Sequence, residues 1–125
     1  MVTNEMMGLA SINASMEQMK GIAYRQKNPA GYMRERMMKL IAEHETILGD
    51  DEELGVVVIG GNTPSFHLRS IQASDPDILR FIGKDADGNV IQLIQHHSQM
   101  GIVVMSLQKL EEKAYRVGFV HSNHS

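Results

Sequence analysis

The residues of this sequence that could do chemistry are six histidines, a scatter of arginines and a row of side-chain amides, and there is no cysteine. Without thiols, disulfides, thiolate nucleophiles and thiolate metal sites are excluded together. No pair of histidines has the H-x-x-x-H spacing that puts two imidazoles on one helical face, and no H-x-H occurs within a strand, so a metal site is not expected. His96 and His97 are adjacent and point to opposite faces of any strand that holds them, while His121 and His124 lie in a Ser/Asn-rich tail.

What remains is an array of hydrogen-bond donors. His67 and Arg69 share one face of a strand, and Arg80 is expected to pair with Gln95 across a hairpin; His96 and Gln99 complete the candidate ligand-binding set. Arginine recognises phosphate or carboxylate at two points, glutamine both donates and accepts, and imidazole donates or carries a proton near neutral pH. That chemistry is capture of a small anionic or nucleotide-like ligand. The catalytic alternative makes His67 and His96 the base and acid of a metal-independent phosphodiesterase. Its paired H-x-S/T signature occurs once, at His96-His97-Ser98, because His67 is followed two places later by Arg69. Asp85-x-Asp87-Gly88-Asn89 brings its glycine too early for a calcium loop and has His96 where that loop needs a glutamate. Neither a phosphate-binding loop nor a serine elbow is present, no cofactor is called for, and the balance leans away from an enzyme.

These residues need elements to position them. Leu9, Ile12, Met16, Met19 and Ala23, spaced 3, 4, 3 and 4, form one narrow helical stripe, of the kind that pairs helix with helix. Leu9, Ile12, Met16 and Met19 are therefore a candidate oligomer interface. Asn28-Pro29 starts a second helix, expected to run to Leu48, to bury Met33, Met37, Leu40, Ile41, His44 and Leu48, and to stop at Gly49. From Leu54 the pattern turns to strands: Leu54–Ile59, Ser65–Ile71, Ile78–Lys84, Val90–His97, Gly101–Leu107 and Arg116–Phe119. Asp87-Gly88 signals a two-residue hairpin loop, which sets Arg80 opposite Gln95, Phe81 opposite Ile94 and Ile82 opposite Leu93. The expectation is an α+β fold: two N-terminal helices, then a five- to six-stranded, mainly antiparallel, curled sheet covered by the second helix. The hairpin is apolar on both faces, so its second face calls for a curl, a subunit or a ligand.

A length of 125 residues with 42% hydrophobic and 22% charged residues is one globular domain. It divides into residues 1–27, an oligomerisation or docking helix; 28–120, a single α+β domain; and 121–125, a flexible tail. No membrane span or leader is visible, and a cytoplasmic location is the default. The net charge of -3 argues against nucleic acid as a partner, yet the charge is segregated. Lys20, Arg25, Lys27, Arg34, Arg36 and Lys39 stand against the single acid Glu35, and an acidic run from Glu43 to Glu53 follows; the blocks are read as solvated helix faces and an acidic loop, with contact to a phosphate-bearing or acidic partner as the alternative.

Asn28-Pro29-Ala30, Phe66-His67-Leu68, Asp75-Pro76-Asp77, Leu93-Ile94-Gln95-His96-His97-Ser98-Gln99 and Arg116-Val117-Gly118-Phe119 together resemble a family of small bacterial and phage-associated proteins of unknown function. The resemblance spans Asn28 to Phe119 and implies that helix plus sheet is the shared unit, with residues 1–27 an addition; it brings no activity. The expected function is a non-enzymatic homo-oligomeric binding protein that captures a small anionic ligand or blocks a partner protein, a phage-borne inhibitor of bacterial defence being one such role. A protein-interaction adaptor working through the Met-rich, basic helices is the further alternative.

Overall fold

The break at Asn28-Pro29 separates two helices, α1 (Asn4–Lys27) and α2 (Pro29–Glu45). The computed structural model describes residues 4–118, with side chains from Ile12 onward. Five strands follow: β1 (Glu52–Val58), β2 (Phe66–Ser74), β3 (Ile78–Lys84), β4 (Val90–His96) and β5 (Ile102–Gln108). They form one antiparallel sheet in the order β4-β3-β2-β1-β5, so the α+β architecture is the one expected. No described helix is long and apolar enough to cross a membrane.

The curl of the sheet into a half-barrel follows from one short link. Residues 97–101 alone join β4 on one edge to β5 on the other, and three of them form a 3-10 turn. Crossing a flat sheet from edge to edge would take at least four strand spacings, about 19 Å, and more because β4 and β5 run parallel. Six fully extended Cα steps reach only roughly 20 Å, so a link that contains a turn draws the edges together.

Leu54 and Val56 of β1, Phe66, Leu68 and Ile71 of β2, and Leu79 and Phe81 of β3 are buried under Ala30, Met37 and Ile41 of α2. Leu68 and Ile71 face the same side although they are three apart, because a bulge at Arg69 inserts one unpaired residue. Gly83 is required opposite Leu68: a Cβ there would strike the backbone oxygen of His67 and come within 2.8 Å of the Phe66 ring.

Several expectations are corrected. Helix α2 ends at Glu45, and Leu40 is 62% exposed, because the sheet takes the face centred on Met37 and Ile41. The described part of the expected last strand, Arg116 to Gly118, is a strap, not a strand. The β3–β4 loop is one residue longer than a two-residue hairpin: the Asp85 N–H donates to Asn89 O at 2.9 Å, the Gly88 N–H to Asp85 O at 3.0 Å, and Gly88 takes φ +84°. Arg80 consequently faces Ile94, Phe81 faces Leu93 and Ile82 faces Gln92. One residue of slip reverses every side chain, so Gln95 turns to the α2 side of the sheet and Arg80 stays on the other.

Candidate functional site

On the face away from α2, alternation along β1 and β2 brings Glu53, His67 and Arg69 together. Glu53 is fully buried, and its Oε2 accepts from His67 Nδ1 at 2.6 Å and from Arg69 Nη2 at 3.2 Å. With Glu53 ionised, the His67 proton sits on Nδ1. The Tyr115 N–H donates to Glu53 Oε1 at 3.0 Å, and the Arg69 guanidinium lies 4.7 Å from the centre of the Tyr115 ring. Burial opposes the charge on Glu53, but the Tyr115 N–H, the Arg69 cation and the His67 and Arg69 hydrogen bonds together hold its carboxyl below the usual range. Glu111 links outward, 3.7 Å from Arg69 and 3.1 Å from Lys84 Nζ. Arg69 Nη1 is buried without a partner among the described residues. His67 and Arg69 therefore share a face as expected, and an internal carboxylate, Glu53, engages both of them there.

This cluster anchors the strap after β5. Tyr115 is tied to Glu53; the Val117 and Gly118 N–H groups donate to the two oxygens of buried Glu45, at 2.6 and 2.7 Å; Arg116 holds Glu52 O and Gly49 O. Two members of the acidic run, Glu45 and Glu53, thus point inward as clamps and do not belong to the solvated helix face and loop expected for them.

The other candidates are dispersed. Arg80 donates to Gln92 at 2.7 Å and to Gln72 at 3.1 Å, an exposed amide clamp in which Gln95 takes no part. His96 closes the 3-10 turn: its Nδ1 accepts the Ser98 N–H at 3.2 Å and lies 2.7 Å from Ser98 Oγ, its Nε2 is 3.8 Å from Asp77, and its ring stacks on His97 at 4.6 Å. Gln99, at the end of that turn, is exposed. His67 pairs with Lys84 and His96 with Ile78, at opposite ends of β3, which separates them by six residues or about 20 Å along the sheet. One phosphodiester does not reach both. Among the described residues no group of three His, Asp or Glu could hold a metal ion.

A concave surface lies where the helices meet. Arg25 and Arg36 stand 6.0 and 5.9 Å from the centre of the Tyr32 ring, and Arg25 pairs with Glu35 at 3.5 Å. A cleft of about 440 Å³ runs from Arg25 and Tyr32 past Arg36 and Lys39 to Leu40, with Glu35 and Glu43 also in its wall, and one of about 500 Å³ continues over Ile22 and Pro29. Sequence reading marked this stretch only as a basic block, because the elbow that brings Arg25 to Tyr32 is a tertiary feature. Along α1, Ile12, Met16 and Met19 are 56, 51 and 67% exposed; the side chain of Leu9 lies outside what the structure describes, as does the tail with His121 and His124.

No family model matches the chain, and neither the curated proteins nor the solved structures provide a match.

Proposed function

We propose that this chain is a non-enzymatic, homo-oligomeric binding protein in which α1 is the assembly arm and the α2–sheet unit is the body. The observation that carries this reading is the uncovered row on α1. Helix α1 meets the body near its C-terminus, where Tyr24 donates to Asp75 at 2.6 Å and Arg25 reaches Glu35. At about 100° per residue, Met16, Met19 and Ala23 lie on roughly the opposite side of the helix from those two contacts. The row is apolar, spaced as a seam, and turned away from its own core. The elbow clefts, where Arg25, Arg36 and Lys39 outnumber Glu35 and Glu43 around Tyr32, suit an anionic ligand, and sequestering such a ligand fits a phage-borne inhibitor of bacterial defence.

The test is molar mass by light scattering for the native chain and for Met16→Glu/Met19→Glu. A discrete oligomer that drops to a smaller species, with circular dichroism preserved, supports the arm. A mass that the two glutamates leave unchanged overturns it.

A further inference from the structure

We infer that β4 is a second assembly surface, pairing antiparallel with β4 of another copy so that two half-barrels share one continuous sheet. The inference goes beyond the arm and rests on a separate observation, the hydrogen-bond phase of the edge strand. At one end of the β3–β4 ladder the Asp85 N–H donates to Asn89 O, and at the other the His97 N–H donates to Asp77 O, both at 2.9 Å. Hydrogen-bonded pairs recur at every second residue of an antiparallel ladder. Residues 91, 93 and 95 therefore spend their backbone groups on β3, and Val90, Gln92, Ile94 and His96 present theirs to the open edge.

A free edge is a template for another strand, and proteins that stay apart blunt it with lysine, acid, proline or a bulge. Val-Ile-Gln-Leu-Ile-Gln-His has none of these. Val90 and Ile94, both edge-presenting residues, are also 73 and 58% exposed, so a strand laid along this edge would cover apolar surface as well as backbone. The other edge differs: on β5 the exposed apolar residue is Val103, at 43%, and the same counting from Ile59–Gly101 turns its backbone to β1.

A second copy is the occupant because the strand is its own complement. A two-fold axis at Leu93 sets Gln92 against Ile94, Ile91 against Gln95 and Val90 against His96. Every edge-presenting residue then meets another, all seven residues pair, and no like charges meet. Such an interface is isologous and closes at two copies.

The absence of cysteine makes the register directly testable. Two copies of Leu93 would face each other as a non-hydrogen-bonded pair, with Cα atoms about 4.5 Å apart, within disulfide reach. Two copies of Val90 would be about 20 Å apart. Under mild oxidation Leu93→Cys is expected to give a covalent dimer and Val90→Cys is not. Leu93 is partly buried, so a second measurement uses the outer face: Gln92→Lys/Ile94→Lys, added to Met16→Glu/Met19→Glu, should convert a dimer into a monomer. Equal cross-linking at the two positions, no cross-linking of folded Leu93→Cys, a dimer that survives the lysines, or open polymers would each overturn the pairing. Because the disulfide readout does not depend on α1, failure of the arm and failure of the edge are separately visible.

Discussion

Glu53 ties three segments together, since one buried carboxylate accepts from His67, Arg69 and the strap at Tyr115. Removing it strands two cationic or polar groups in a closed site, and breaking such a buried pair costs about 3–5 kcal/mol. Glu53→Ala is expected to lose stability of that order in urea denaturation, with Tyr115 and the strap released. The pH response has a definite sign. The folded carboxyl sits below its ordinary value, so the unfolded chain binds the proton first; stability is fully present above the usual carboxylate range and falls as pH drops through the folded value. The urea midpoint should decline on acidification, and Glu53→Gln should flatten that decline. At this scale the same-face placement of His67 and Arg69 was legible, because two-residue spacing in a strand implies it. Glu53 was not, because an acid in an acidic run reads as solvated until β1 is set beside β2.

The β3–β4 hairpin shows how an element can be recognised and still be misread by one residue. Asp-Gly marks the turn correctly, but the side chain of Asp85 accepts the N–H groups of Asp87 and Asn89, both at 2.9 Å, and this local capping selects the three-residue loop. Gly88 then needs the left-handed region, so Gly88→Val should cost about 1–2 kcal/mol and lower the thermal midpoint. Gly83→Ala acts through packing instead. Its Cβ meets rigid β2 backbone, and a loss of about 1–3 kcal/mol is expected by the same assay. The cap also explains why the sheet lacks the expected Arg80–Gln95 pair: register, not composition, decides which face a residue occupies.

At the scale of the whole molecule, none of the buried core residues among the described side chains comes from α1. A chain lacking residues 1–27 is therefore expected to keep the circular dichroism of the α2–sheet unit, losing the Tyr24–Asp75 and Arg25–Glu35 contacts and the oligomer that the arm builds. Mass spectrometry under native conditions, applied to protein purified without denaturation, would report copy number and any anionic cargo together. Arg36→Glu, which inverts one charge beside Tyr32, should release such a cargo while leaving the mass of the assembly intact.

The sequence by itself determined the type and order of the two helices and of the five strands from β1 to β5, since helical and strand periodicities are local and Asn28-Pro29, Asp75-Pro76-Asp77 and Asp87-Gly88 punctuate them. It also determined that α1 carries an apolar seam, because a 3,4 spacing needs no partner to be recognised. Only the tertiary structure decided that Glu45 and Glu53 turn inward, that His67 and His96 stand at opposite ends of the sheet, that Arg25 meets Tyr32 at an elbow, and that β4 lies on an open edge. Each of these depends on which distant segment comes to lie alongside, and pairing between strands or helices far apart in the chain leaves no mark in the spacing of residues within one of them.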